Sequence, residues 1–363
     1  MSGEPPLAGV RVLDSTSYAT GPFMTGLLAQ LGAKVIKIER PPHGDPERFT
    51  TPAYFAAFNR GKASVALDTR DAADRAMLDE LVAGADVFVE GFRPGAADRA
   101  GLGFDRLRTL RKGLIYISLP GFSSTGPYAA ARGYDVQYQA IAGALAFDID
   151  PGGTPVYRSA FPVFDYAAAM YAVIALLALL PDRPGEGIRL EVPIVAAGLA
   201  FTFPAIVDTL GDSAERGRVR HTYRTADGQF LAITVPQDQD FQALCTALGR
   251  PDVRDDPAFA TYRDRTANGV RLGQIVGEEI NARTADEWLA ALVPAGVPVA
   301  RVNTPETIFD DPEVKSLGLI DEDGGRHMHL PVLGLPQREL APAPGLGDDT
   351  DRVRAEGWGH LRA

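Results

Sequence analysis

Asp165 is the only charged residue in FPVFDYAAAMYAVIALLALL, residues 161–180. Two kinds of chemistry suit a carboxylate so placed. As a helix N-cap it is favoured by the unpaired N–H groups and partial positive charge of a first turn. At the edge of a dry core it can also act as a nucleophile or move a proton. A second set of candidates is basic: Arg40 follows VIKIE, Arg70 follows VALDT, Arg93 stands in EGFRPG, Arg99 in AADRAG and Arg132 in ARGYD. Strand-to-loop transitions are where open α/β sheets place their ligand crevices. Arginine pairs bidentately with phosphate, so the set reads as an anion site, although any single member also reads as a solvated surface arginine. Tyr134 and Asp135 of RGYD are the other acid–base candidates.

Several chemistries are excluded or disfavoured. G-x-S-x-G, H-E-x-x-H and Walker A sequences are absent, which removes the common hydrolase, metalloprotease and P-loop readings. His327 and His329 of RHMH share one face of a strand, but no third ligand stands near them in sequence, so no metal is expected. Cys245 is the single cysteine and lies in the amphipathic FQALCTALG, where it reads as a small buried apolar residue. With one cysteine no internal disulfide can form, and a cytoplasmic setting is expected. The N-terminus lacks a signal-peptide pattern. The apolar run after Asp165 is too short for a membrane span, so no membrane partner is expected. A net charge of −11 argues against nucleic acid.

The elements that must hold these residues alternate. GVRVLD, GPFMTGLLAQLG and AKVIKIE read as strand, helix, strand. SVALD, DVFVEGF and LIYISLPGF continue the strands, with DAADRAMLDELVAGA and FDRLRTLR as helices between them. That alternation predicts an α/β fold with a parallel sheet. No G-x-G-x-x-G follows the first strand, which disfavours a nicotinamide cofactor. The texture changes near 220 to a hairpin, HTYRTADGQFLAITV, followed by helices. The expected organisation is a large Rossmann-like domain over 1–215, a smaller α+β domain over 216–302, and a segment over 303–363 that returns to the first. With 45% hydrophobic and 23% charged residues, the chain has ample core material.

GPFMTGLLAQLGAKVIKIERP, NRGKASVALDTRD, ADVFVEGFRPGAADRAGLGFDRL, LIYISLPGFSSTGPYAAARGYDVQYQAIAG and AGVPVARVNTPETIFDDPEV together resemble the family III CoA transferases. That family includes formyl-CoA and carnitine CoA transferases and the α-methylacyl-CoA racemases, and the likeness runs over nearly the whole chain. It implies a Rossmann-like domain, a small domain and an interlocked homodimer. Coenzyme A enters there as a thioester substrate, with no separate cofactor. The family's nucleophilic aspartate falls on Asp165, and its CoA contacts fall on Arg40, Leu67, Asp68, Thr69, Arg70, Gly91, Phe92, Arg93, Arg99, Arg132, Gly133, Tyr134 and Asp135.

The activity expected first is movement of CoA from an acyl-CoA to a carboxylic acid through aspartyl anhydride and thioester intermediates. An acyl-CoA racemase or epimerase, or a CoA-binding member without catalysis, are the alternatives. Tyr134 in GYD replaces the histidine of the racemase GHD motif. YAAAMYA stands where glycines often follow the family's aspartate, Ala63 follows NRGK in place of a basic residue, Ala19 occupies a glutamine position, and no glycine-rich lid is found.

Overall fold

The computed structural model describes residues 4–150, 152–157, 161–210, 221–321 and 327–361. Contacts divide the chain into two units, one of Met1–Ile206 with Leu319–Ala363 and one of Val207–Gly318. The boundary expected at 215/216 lies outside the described residues. Residues 303–318 stay with the second unit, and the chain rejoins the first at Leu319 rather than at 303. Just before this stretch Val302 N donates to Phe230 O, and within it Asn303 Nδ2 donates to Asp311.

In the first unit six strands form one sheet: β1 (Arg11–Ser15), β2 (Lys34–Glu39), β3 (Ala63–Ala66), β4 (Val87–Glu90), β5 (Ile115–Ser118) and β6 (Ile188–Glu191). All pair in parallel in the order β3-β2-β1-β4-β5-β6. A parallel sheet is covered on both faces, so its central strands are apolar on both sides. Leu13, Ile36, Val65, Phe88 and Tyr116 face one layer with Leu78, Leu81 and Trp358. Val12, Val35, Val87 and Ile117 face the other, against Met24 and Leu28 of the Thr20–Gln30 helix and Ala172 and Leu176 of the Val163–Leu179 helix. Each large aliphatic side chain so buried contributes about 1.5–3 kcal/mol. Strand β3 is an edge, and its main chain is covered: Ser64 N donates to Asp349 and Ala66 N to Thr350 of the C-terminal segment.

The second unit contains an antiparallel sheet of β7 (Thr222–Arg224), β8 (Phe230–Ile233) and β9 (Val299–Arg301). Helices Asp238–Leu248, Gly269–Ile280 and Ala285–Leu292 pack on it through Phe241, Leu272, Val276 and Trp288. Cys245 is buried in that core, and burial pushes its thiol up to about 11, as suits a packing residue. The last strands, β10 (Ile320–Asp321) and β11 (His327–Met328), form a small antiparallel pair in the first unit. Among the described residues no helix is long and apolar enough to cross a membrane.

Candidate functional site

At the carboxyl ends of β1, β4 and β5 lies a cleft of about 410 Å³. Its wall is made by loop 16–20, by Gly91–Pro94 after β4, by Leu119–Phe122 after β5, by Arg132–Asp135 and by the start of the Val163–Leu179 helix. Parallel strands set the elements that follow them side by side, which gathers these loops at one edge of the sheet.

Loop 16–20 is fixed from beneath by a buried charge network. Asp14, fully buried at the end of β1, accepts from Thr16 N (3.0 Å), Thr25 Oγ1 (2.6 Å) and Lys62 Nζ (3.0 Å), and from the Thr16 hydroxyl. Lys37 Nζ donates to Thr16 O (2.9 Å) and pairs with Asp45 (3.0 Å). Asp45 in turn accepts from Tyr18 N at 3.1 Å. Burial alone would raise the Asp14 carboxyl, but Lys62 and Lys37 hold it below the usual range. The same burial lowers Lys62 to about 8 despite Asp14 beside it. Tyr18 sits at φ 67°, the only positive-φ non-glycine among the described residues, and its ring meets that of Tyr134 edge-on at 6.3 Å. A side chain held in this rare conformation marks a segment whose surroundings determine it. Gly21 follows because a Cβ there would lie 2.3 Å from the Thr16 side chain.

Asp165 is in the first turn of the Val163–Leu179 helix, not at its cap, which is Pro162. Its Oδ1 accepts the hydroxyl of Thr20, the first residue of the Thr20–Gln30 helix. The carboxylate therefore lies where two helices begin, in the partial positive potential of both. Burial raises it from 3.8 to about 6; the Thr20 bond opposes that rise and the charge of Asp135 adds to it. No cation pairs with Asp165 among the described residues. The helix is brought to this spot by Phe164, whose ring packs so closely on Gly198 that a Cβ there would lie 2.0 Å from it. Asp135 is buried, accepts from Gln139 Nε2 (2.6 Å) and the Tyr157 hydroxyl (3.2 Å), and is likewise raised by burial.

The residues singled out from the sequence fall into two groups. Asp165, Gly91, Phe92, Arg93, Arg132, Gly133, Tyr134 and Asp135 all line the cleft. Arg93 and Arg132 are exposed and have no ion-pair partner among the described residues, which leaves two free guanidinium groups in the wall. Arg40, Leu67, Asp68, Thr69, Arg70 and Arg99 do not line it. Leu67 is buried in the sheet's core and offers a ligand only its main chain. Arg70 pairs with its neighbour Asp68 at 2.6 Å, and Thr69 O accepts from Arg75 at 2.8 Å. Arg40 and Arg99 are exposed.

Thr20, Tyr18, Tyr54 and Tyr157 also line the cleft and were not singled out. Thr20 and Tyr18 carried one usable signal, their place just after the first strand. The metal expectation also meets a difference. Antiparallel pairing sets Asp321 opposite His327, and Asp321, His327 and His329 bring their ligand atoms within 4.8 Å of one another. The third candidate ligand comes from the facing strand, which local spacing did not show.

The cleft can therefore hold an anionic ligand beside a poorly solvated carboxylate, and comparison with known proteins says which family uses this framework. The family model for CoA-transferase family III matches residues 7–350. The succinate–glutarate CoA-transferase of Agrobacterium fabrum is 32% identical, covering 97% of this chain and 96% of its own. The acetyl-CoA:oxalate CoA-transferase of Acetobacter aceti is 34% identical over 87% of each chain. The crystal structure of a CaiB/BaiF family protein from Brucella suis is 29% identical, with a TM-score of 0.86 over 98% of this chain and 100% of that one. Sequence and fold agree over almost the full length, and the chain belongs to CoA-transferase family III.

Proposed function

We propose that the cleft moves CoA from an acyl-CoA to a free carboxylic acid, with Asp165 as the nucleophile. The observation that carries this is a carboxylate in the cleft wall with one hydroxyl donor, no cation partner among the described residues, and a pKa raised to about 6. Such a group is still mostly ionised at neutral pH and is only weakly solvated, which suits nucleophilic attack. Asp165 attacks the thioester carbonyl, the C–S bond breaks, and a mixed anhydride and CoA thiolate result. The thiolate attacks the aspartyl carbonyl, releasing the donor acid and leaving an aspartyl-CoA thioester. The acceptor carboxylate attacks that thioester to give a second anhydride, and CoA thiolate takes the acceptor acyl group and frees Asp165. Main-chain N–H groups at the two helix starts are suited to the oxyanion formed at each attack.

Arg93 and Arg132 supply charge for the phosphates of CoA, while Arg40, Asp68, Thr69, Arg70 and Arg99, outside the cleft, meet the far end of so long a molecule. CoA serves as substrate, and no other cofactor is required. The relatives are named for succinate, glutarate and oxalate, which supports a short dicarboxylic acid as acceptor. A homodimer is supported by apolar side chains exposed on two neighbouring helices, Met170 and Ile174 on one and Phe201 and Phe203 on the other. No observation favours the racemase or an inactive member. The test is CoA exchange between a panel of acyl-CoAs and short mono- and dicarboxylic acids, followed by mass spectrometry, with hydroxylamine trapping of the enzyme. Modification at Asp165 during turnover is the expected result. Robust turnover with Asp165 never modified overturns the covalent route.

A further inference from the structure

We propose that Asp321, His327 and His329 form a binding site for a divalent d-block cation of the zinc class, on the β10–β11 hairpin and apart from the transferase cleft. Histidines two apart on a strand project from one face, and antiparallel register sets Asp321 across from His327. His329 N donates to Leu319 O at 2.8 Å, so the pairing continues past the strand ends and holds the second imidazole in line. Asp321 Oδ2 lies 3.0 Å from His327 Nε2 and 2.6 Å from His329 Nε2. Ligands about 2.0–2.2 Å from a tetrahedral zinc stand roughly 3.3–3.6 Å apart, so His327 must draw back from the carboxylate oxygen by about half an ångström and His329 by somewhat under one. The two rings, 5.8 Å apart and inclined at 68°, converge on the carboxylate rather than stack.

A second observation lies beside the two histidines, in a small cavity that Asp321 does not line. Gln30 lines a cavity of about 20 Å³ together with both histidines. Its Oε1 is buried and has no hydrogen-bond partner among the described residues. That volume holds about one water, and a water bound to the cation would give Gln30 its missing donor. Two imidazoles and one carboxylate select zinc, cobalt or nickel over magnesium or calcium, which require oxygen donors. Arg60 and Arg338 line the same cavity, with their guanidinium groups donating to Leu340 O (2.7 Å) and Ala29 O (3.0 Å). Their charge opposes a cation and sets the affinity below that of a four-ligand structural zinc site. The metal's role is a clasp: strands of two residues each are marginal alone, and a shared cation ties them.

The competing arrangement is a metal-free clasp in which both imidazoles donate to Asp321. Tag-free protein, stripped with chelator, is titrated with Co2+ and then Zn2+. The expected result is about one cation per chain, visible d–d bands of low-symmetry Co2+ that Zn2+ abolishes, and a thermal midpoint raised by Zn2+. Asp321→Asn, His327→Gln and His329→Gln each lower affinity at least about tenfold. His43→Gln, at an exposed histidine, leaves it unchanged. Ring-nitrogen NMR shifts of His327 and His329 on Zn2+ titration of the unsubstituted protein supply a readout that needs no variant to fold. Absence of stoichiometric binding, affinity unaltered in all three variants, or unmoved ring-nitrogen signals overturns the proposal in favour of the metal-free clasp. Since the cleft is not involved, these outcomes stand whatever acyl chemistry Asp165 performs.

Discussion

Asp165→Asn should make the protein more stable while abolishing its activity, and the gain should depend on pH in a defined way. The folded state raises the Asp165 carboxyl from 3.8 to about 6, chiefly by burial. A shift of about two units corresponds to about 3 kcal/mol between the protonation states. The sign follows from which state binds the proton more tightly. Folding raises this pKa, so the group's contribution is fully present below pH 3.8 and is lost as pH rises through about 6. Above that the folded protein carries a carboxylate that unfolding would relieve. Asparagine keeps the shape and accepts the Thr20 hydroxyl but never ionises. The variant should therefore match the wild type near pH 3.5 and exceed it by about 3 kcal/mol at pH 7.5, where the full shift is expressed. Urea unfolding of both proteins at several pH values, followed at a probe in the first unit, measures the difference while other titrating groups cancel. A variant no more stable than wild type at pH 7.5, or one stabilised equally at both pH values, refutes this account of the site's electrostatics.

Thr20→Val removes the hydroxyl that holds Asp165 down, so the acid limb of the pH–rate profile should move up from about 6. A hydrogen bond to a charged group is worth about 1.5–3 kcal/mol, or roughly one to two pH units, and activity should recover at alkaline pH; loss without alkaline recovery would assign Thr20 a merely structural part. Arg93→Ala and Arg132→Ala should each weaken CoA binding by about 1.5–3 kcal/mol by calorimetry, whereas unchanged affinity would return them to the solvated surface. Lys62→Met leaves Asp14 with Lys37 as its remaining cation and should cost about 3–5 kcal/mol in unfolding experiments, the penalty for breaking a buried pair. A cost under about 1 kcal/mol would mean that water or Lys37 takes over the pairing.

What could be read from the sequence was whatever is written locally. The strands of the parallel sheet are short β-branched runs because both faces are covered, and the helices between them carry their own period, so the Rossmann-like alternation is legible without any long-range contact. Asp165 stood out because a lone charge in an apolar run is a local anomaly. Its setting was not legible. The helix starts at Val163, so the expected cap falls within the first turn, and the hydroxyl that meets the carboxylate comes from Thr20, 145 residues earlier. Asp14, Lys37 and Lys62 carry no local mark in the sequence, yet they meet under loop 16–20 with almost no exposure. Charges of this kind can be buried only when partners from separate strands converge, so no single segment can announce them. The arginines show the converse. Arg40, Arg70, Arg93, Arg99 and Arg132 look alike in sequence because each stands in a segment that follows a strand. The folded chain puts Arg93 and Arg132 in the cleft wall, binds Arg70 to Asp68, and leaves Arg40 and Arg99 outside. Asp321 was hidden for the same reason as Thr20: a partner defined by pairing across the chain has no spacing to recognise. Chemistry in this protein is thus announced by local anomalies, while the groups that tune it come from residues whose roles exist only once the sheet has formed.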